Sequence, residues 1–159
     1  MGNQLRSDKD YSKERNQMWR TKIYPVIGMV VLVLCFSSLS VADEATEAAA
    51  LEVAKTWLTL VDNGHYGESW ETAAAYFKNT VTKDYWQQAI PAIRKLFGDP
   101  LSRKLGSIEY TRSLPAAPDG EYYVIQIATS FEKKQHAVET VHLMLDSDGK
   151  WRVSGYFIK

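Results

Sequence analysis

Apolar residues recur along this chain at a helical period up to Pro100 and at a period of two beyond it. From Asp43 to Asn63, Leu51, Ala54, Leu58 and Val61 fall on one helical face, widened by Trp57 and Leu60. Asp43, Glu44 and Glu47 sit in the first turn, where the helix dipole favours negative charge. Asp62-Asn63-Gly64 closes the segment, with Gly64 suited to the left-handed closing position. A second, shorter helix is predicted from Tyr66 to Lys78, with Trp70, Ala73, Ala74 and Phe77 on one side. A third runs from the N-cap residue Thr82 to Gly98, and Pro91 inside it predicts a kink or two consecutive short helices.

After Pro100 the alternation predicts four strands. Ile108, Tyr110 and Leu114 mark the first, and Tyr123, Ile125, Ile127 and Phe131 the second. Val141, Leu143 and Leu145 mark the third, and Trp151, Val153 and Phe157 the fourth. The linkers are Pro115 to Gly120, Lys133-Lys134-Gln135 and Ser147-Asp148-Gly149. A one-residue slip would turn an apolar set to the wrong face, so register can be argued. Asp146 opposite Lys150 pairs Leu145 with Trp151, Leu143 with Val153 and Val141 with Gly155. Glu132 opposite His136 pairs Ile127 with Val141 and Ile125 with Leu143. Leu114 opposite Glu121 sets Tyr110 beside Ile125 and Ile108 beside Ile127. All four apolar rows then share one face. The expected class is α+β: three N-terminal helices on one face of a curved four-stranded antiparallel meander, a cone or roll of cystatin-like kind.

Composition changes the picture at the N-terminus. Val26 to Phe36 is an unbroken apolar run, preceded by Arg20 and Lys22 and followed by Ser40-Val41-Ala42 and then Asp43-Glu44. This is the layout of a secretory signal, with cleavage after Ala42. It divides the chain into a signal peptide over 1–42 and one domain over 43–159. Met18 offers a more compact start for the leader. The alternative is an inner-membrane anchor over residues 23–41, although a span needs about 20 apolar residues. The expected address is periplasmic or secreted. Cys35 is the only cysteine, and Leu34 before it is too bulky for a lipoprotein attachment site. Cleavage would leave a domain without disulfide or thiol chemistry. The domain is mildly acidic and has no basic block, which argues against nucleic acid as a partner.

Several residues then carry a resemblance. Trp57-Leu58, Val61 to Gly64, Tyr66, Ser69-Trp70 and Phe77-Lys78 are similar to the opening signature of the bacterial "domain of unknown function 4019" family. Trp86, Arg94, Ser113-Leu114-Pro115, Pro118-Asp119-Gly120, Glu139-Thr140 and the ending Gly149 to Ile158 also fit. The resemblance covers roughly Ala48 to Lys159. It implies export, mostly in Gram-negative bacteria, with no assigned activity and no catalytic residues to carry over. Element order adds a wider likeness to the nuclear-transport-factor-2-like (NTF2-like) cone fold, an analogy that says nothing about function.

Candidate chemistry is sparse. His65, His136 and His142 lack metal-ligand spacing, and no metal or cofactor is expected. The derived register lines up Glu109, Gln126, His142 and Ser154 on the face away from the helices. His142 beside Ser154 is half of a nucleophile–base pair, but Glu109 lies two strands off, roughly 10 Å by strand spacing. No catalytic residue is assigned. Glu139 is the more informative carboxylate, because its parity puts it on the apolar face, in a row with Thr129 and Phe157. There it must be paired, hydrogen-bonded or neutral. One reading is a salt bridge to Lys104 or Arg103; the other is a pocket between helices and sheet lined by Glu139, Tyr110 or Trp70. The outer parity also holds Val124, Val138, Met144, Tyr156 and Ile158, a mixed apolar patch that suits association. The reading is a non-enzymatic exported domain that binds a protein partner or its own copy through Val138, Met144, Tyr156 and Ile158, touching membrane only through an uncleaved signal. The alternative is a small-molecule-binding or hydrolytic domain using the pocket.

Overall fold

Four helices precede the sheet in the computed structural model, which describes Glu44 and residues 46–159. The predicted signal, with Val26 to Phe36, Cys35 and Met18, lies outside the described residues. The helices are α1 (residues 46–62), α2 (Tyr66–Glu71), α3 (Ala75–Thr80) and α4 (Lys83–Phe97). The strands β1 (Pro100–Thr111), β2 (Tyr122–Phe131), β3 (Lys134–Leu145) and β4 (Trp151–Ile158) form one antiparallel meander in chain order. The class is α+β, as the periodicity predicts. Among the described residues no helix is long and apolar enough to cross a membrane.

The helix count differs from expectation because the second predicted helix breaks at Thr72–Ala74. Ala74 is extended (ψ 151°), and its N–H donates to the Val153 carbonyl of β4 at 2.8 Å instead of to its own helix. Ala73 and Ala74 are both fully buried, so their small side chains let the chain reach that strand. The Thr72 hydroxyl meanwhile donates to the Glu68 carbonyl at 3.0 Å. By contrast α4 stays one helix through Pro91, and the alternative of two short helices is not what forms. Its buried positions Trp86, Ile90 and Arg94 hold one face against the core on both sides of the proline. The α1 terminus follows the sequence reading. Gly64 has φ +74°, and the His65 and Gly64 N–H groups close onto the Leu60 and Val61 carbonyls.

Parity in the sheet is as expected over most of its length, but two registers slide. Ile127 pairs with Glu139 and Ile125 with Val141; Tyr110 pairs with Tyr123 and Ile108 with Ile125. Each is two residues from the derived pairing, which keeps every side chain on its face. The β2–β3 turn is Glu132-Lys133, with Phe131 opposite Lys134. It is tight because the Glu132 N–H donates to the Asp99 carbonyl just after α4 and the Lys133 N–H to the carbonyl of Phe97, the last residue of α4. Gly98 (φ +77°) makes that contact possible, since a Cβ there would stand 2.8 Å from the Glu132 carboxylate. At the other end β1 stops at Thr111, so Leu114 belongs to the following loop.

The third pairing starts as derived, Leu145 with Trp151 and Leu143 with Val153, then shifts between His142 and Leu143. His142 faces Gly155 and Val141 faces Tyr156, so Ser154 is a bulged extra residue. Beyond it the parity of β4 inverts. The core joins Trp57, Leu58 and Val61 of α1 and Trp86 and Ile90 of α4 to Ile125, Val141, Leu143 and Val153 of the sheet.

Candidate functional site

Two constructions concentrate polar or exposed aromatic groups. The first is a groove of about 380 Å³ beside β4. One wall is α3–α4, with Tyr76, Tyr85, Ala89 and Ile93; the other is the β1–β2 loop at Leu114 to Ala117. His142, Ser154 and Phe157 also line it. The loop reaches α3 through the Tyr76 hydroxyl, which donates to the Ala116 carbonyl at 2.8 Å. Tyr122, fully buried, anchors the same loop by donating to the Pro118 carbonyl.

Gly155 shapes the floor. Its missing Cβ lets the His142 ring lie across it, since an added carbon would come within 3.3 Å of Nδ1. His142 then packs on Phe157, ring centroids 5.3 Å apart. Burial pushes the His142 pKa below its usual value, so the imidazole is neutral near pH 7. Among the described residues no carboxylate, ammonium or guanidinium lines the groove. His142 and Ser154 both border it, but no hydrogen bond joins them among the described residues. Glu109 registers with Val124, across which lies His142, so Glu109 stands two strands from the ring. The derived polar row therefore does not form as a row.

The second construction is an ion cluster drawn from six elements. Glu139 of β3 is fully buried and accepts from Arg103 Nε of β1 at 2.6 Å, Thr129 Oγ1 of β2 at 2.6 Å and the Tyr156 hydroxyl of β4. Arg103 also grips Asp62, at the end of α1, through both terminal nitrogens. Arg94 of α4 donates to Asp62 at 2.7 Å, approaches Glu139 at 3.5 Å and lies over the Phe131 ring at 5.0 Å. Burial pushes the Glu139 pKa up, but hydrogen bonds from Arg103, Thr129 and Tyr156 outweigh it and hold the carboxyl below its usual value. The Tyr156 hydroxyl is pushed up by burial and by the adjacent Glu139. Two guanidinium groups face two carboxylates, and among the described residues no buried side-chain polar atom lacks a partner. Each charge of the cluster is thus matched within the protein.

The structure separates the residues singled out as pocket candidates. Glu139 is in the ion cluster, with Arg103 rather than Lys104 as its mate. Tyr110 stands half-exposed on β1 against Tyr123, ring centroids 5.6 Å apart. Trp70 of α2 packs on the core, its indole N–H donating to the Val81 carbonyl at 2.7 Å. Of the outer-face candidates, Val138 is exposed and Met144 half-buried on that face. Tyr156 is on the other face: the Ser154 bulge turns it inward against Trp57, at 5.4 Å between centroids. Ile158 registers with Glu139 on the inner side as well, and Phe157 takes the outward place. Asp62 and Arg94 gave no periodic signal of their own. An arginine in the middle of the apolar face of α4, at the fourth position after Ile90, was the available hint.

The fold and site define an α+β domain of four helices and a four-stranded meander, with a saturated internal ion cluster and an uncharged groove. Its sequence matches the profile of the family described as protein of unknown function (DUF4019) over residues 53–156, and the chain belongs to that family. Among curated proteins none matches the sequence significantly. A solved structure from Catenulispora acidiphila, determined at 2.5 Å, is similar with 9% identity and a TM-score of 0.48, covering 74% of this chain and 93% of that one.

Proposed function

We propose that this chain is a non-enzymatic envelope domain, exported with cleavage after Ala42, which binds an uncharged apolar segment of a partner protein in the groove beside β4. The carrying observation is the groove's composition together with its continuation. Tyr85, Ile93 and Leu96 form one exposed stripe along α4 with half-buried Ala89 between them, and Tyr85 and Leu96 are 65% and 74% exposed. Phe157, 53% exposed, lines the same groove as Tyr85, Ala89 and Ile93. Such a stripe is longer than a compact small molecule needs, and an apolar segment laid along it would bury all four positions. Among the described residues His142 and Ser154 share no hydrogen bond and no carboxylate lines the groove to orient the ring, which supports binding over hydrolysis. The order of helices first and meander second supports reading the fold as a roll of the NTF2-like or cystatin-like kind.

A photo-crosslinking residue in place of Ile93, introduced into the exported protein in its native cell, tests this reading. The expected result is one discrete adduct with a second protein, abolished by Phe157→Asp while circular dichroism is unchanged. An adduct with a second copy of the chain, or an adduct insensitive to Phe157→Asp, would overturn it. So would the absence of any adduct when the uncharged dye Nile red binds the groove tightly, which would favour a small apolar ligand.

A further inference from the structure

From the side of β1 that no other strand occupies among the described residues we infer a second interaction surface, independent of the groove: two copies of this chain join antiparallel through β1 about a twofold axis between residues 106 and 107. β1 is a sheet-edge strand of 12 residues with β2 as its strand neighbour. The opposite edge, β4, is engaged by α3 through the Ala74 N–H. Leu105 and Tyr110 on the helix side of β1 are 43% and 45% exposed.

A bulge and a lysine ordinarily guard an edge strand against pairing. In β1 both fit a twofold instead. Pairing a regular strand with itself about a point between two residues sets side chains of opposite faces against each other, which the pleat forbids. The register shift between Leu105 and Ser107 removes that conflict. Gly106 occupies the bulge, where a Cβ would stand 3.2 Å from the Gln126 carbonyl oxygen of β2. Because of it, Arg103, Leu105, Ile108 and Tyr110 share the inner face, whereas Lys104, Ser107 and Glu109 share the outer. About the axis Leu105 meets Ile108 of the second copy, Arg103 meets Tyr110, and Lys104 meets Glu109. Every pair matches in face, and the charged pair is opposite in sign and occurs twice. Lys104 and Glu109 are both exposed and have no ion-pair partner among the described residues. The face-matched alternative, one residue removed, sets both charges opposite serines and leaves them unpaired. Opposite charges directly across a strand pair stabilise it, and like charges destabilise it.

Charge reversal tests the pairing by sedimentation velocity over a concentration series. The wild-type chain should be a reversible dimer. K104E sets two carboxylates against each other at both charged pairs, and E109K sets two ammonium groups against each other there. Each variant should raise the dimer dissociation constant about tenfold or more. The two single variants mixed in equal amounts should associate again as a heterodimer, and the K104E/E109K double variant should recover the homodimer. Unchanged circular dichroism will separate these effects from unfolding. A wild-type chain that stays monomeric throughout, single variants as dimeric as wild type, or a mixture that fails to associate would overturn the inference. A dimer dissolved by Phe157→Asp but not by either charge reversal would place self-association in the groove and overturn it too.

Discussion

Glu139 shows how a single residue's chemistry is decided by what surrounds it. A carboxylate without contact to water must be paired or neutral, and here two arginines, a threonine and a tyrosine hold it ionised. Because its folded pKa is lowered, the ionised form adds stability above the unfolded value of about 4.3, and that share is lost as pH falls below it. Glu139→Gln should therefore cost about 3–5 kcal/mol, since Arg103 and Arg94 lose a buried counter-charge. The loss should be the same at pH 5 and pH 8 in chemical denaturation, because wild-type Glu139 is ionised across that range. A neutral or favourable change at pH 8 would mean the carboxylate is not paired as described. The alternation of β3 made the position of Glu139 legible, and Arg103 was within reach of that argument through the start of β1. Tyr156, Asp62 and Arg94 were not, because they arrive from β4, α1 and α4, whose relative placement no local period encodes.

Among the elements, α2 shows a polar node doing what apolar packing alone would not. The Ser69 hydroxyl donates to the Tyr66 carbonyl and accepts from the Trp86 indole of α4 at 3.0 Å, while the Ser69 carbonyl accepts from the Trp57 indole of α1 at 2.7 Å. Three helices thus meet at one buried serine. Ser69→Ala should leave the Trp86 N–H without an acceptor and cost about 1–3 kcal/mol, read as a shifted denaturation midpoint. Ser69→Thr, which keeps the hydroxyl, provides the comparison; equal stability of the alanine variant and wild type would remove the node from the account. The elements themselves were largely visible in the period of apolar residues and in Thr82, Gly64 and Gly98. The break between α2 and α3 was not, because helical spacing continues through it and only the Val153 carbonyl of another element draws Ala74 out. The Ser154 bulge was hidden for the same reason, and it reversed the faces assigned to Tyr156, Phe157 and Ile158.

For the whole molecule, the address is the first matter to test. The basic, apolar and small-residue order before Asp43 predicts a mature chain beginning at that residue. N-terminal sequencing of the protein from a periplasmic extract should return Asp-Glu-Ala; recovery in the membrane fraction with Val26 to Phe36 retained would sink the export reading. The dimer inferred at β1 and the groove beside β4 lie at opposite edges of the sheet, so each can be removed by substitution without touching the other.

The sequence by itself determined the α+β class, the meander, most of the inner face and the presence of an ionisable group within it. Each follows from local chemistry: the spacing of apolar side chains, the turn residues and the cost of an unpaired buried charge. Tertiary structure alone decided the break after α2, the registers sliding by two, the mates of Glu139 and the existence of the groove. A two-residue slide leaves every apolar face intact, so the pattern is blind to it and the energy of distant hydrogen bonds selects among the alternatives. The Glu132 and Lys133 N–H groups bound to the chain at the end of α4 make that selection at one hairpin, and the Ala74 N–H bound to β4 makes it at the helix break.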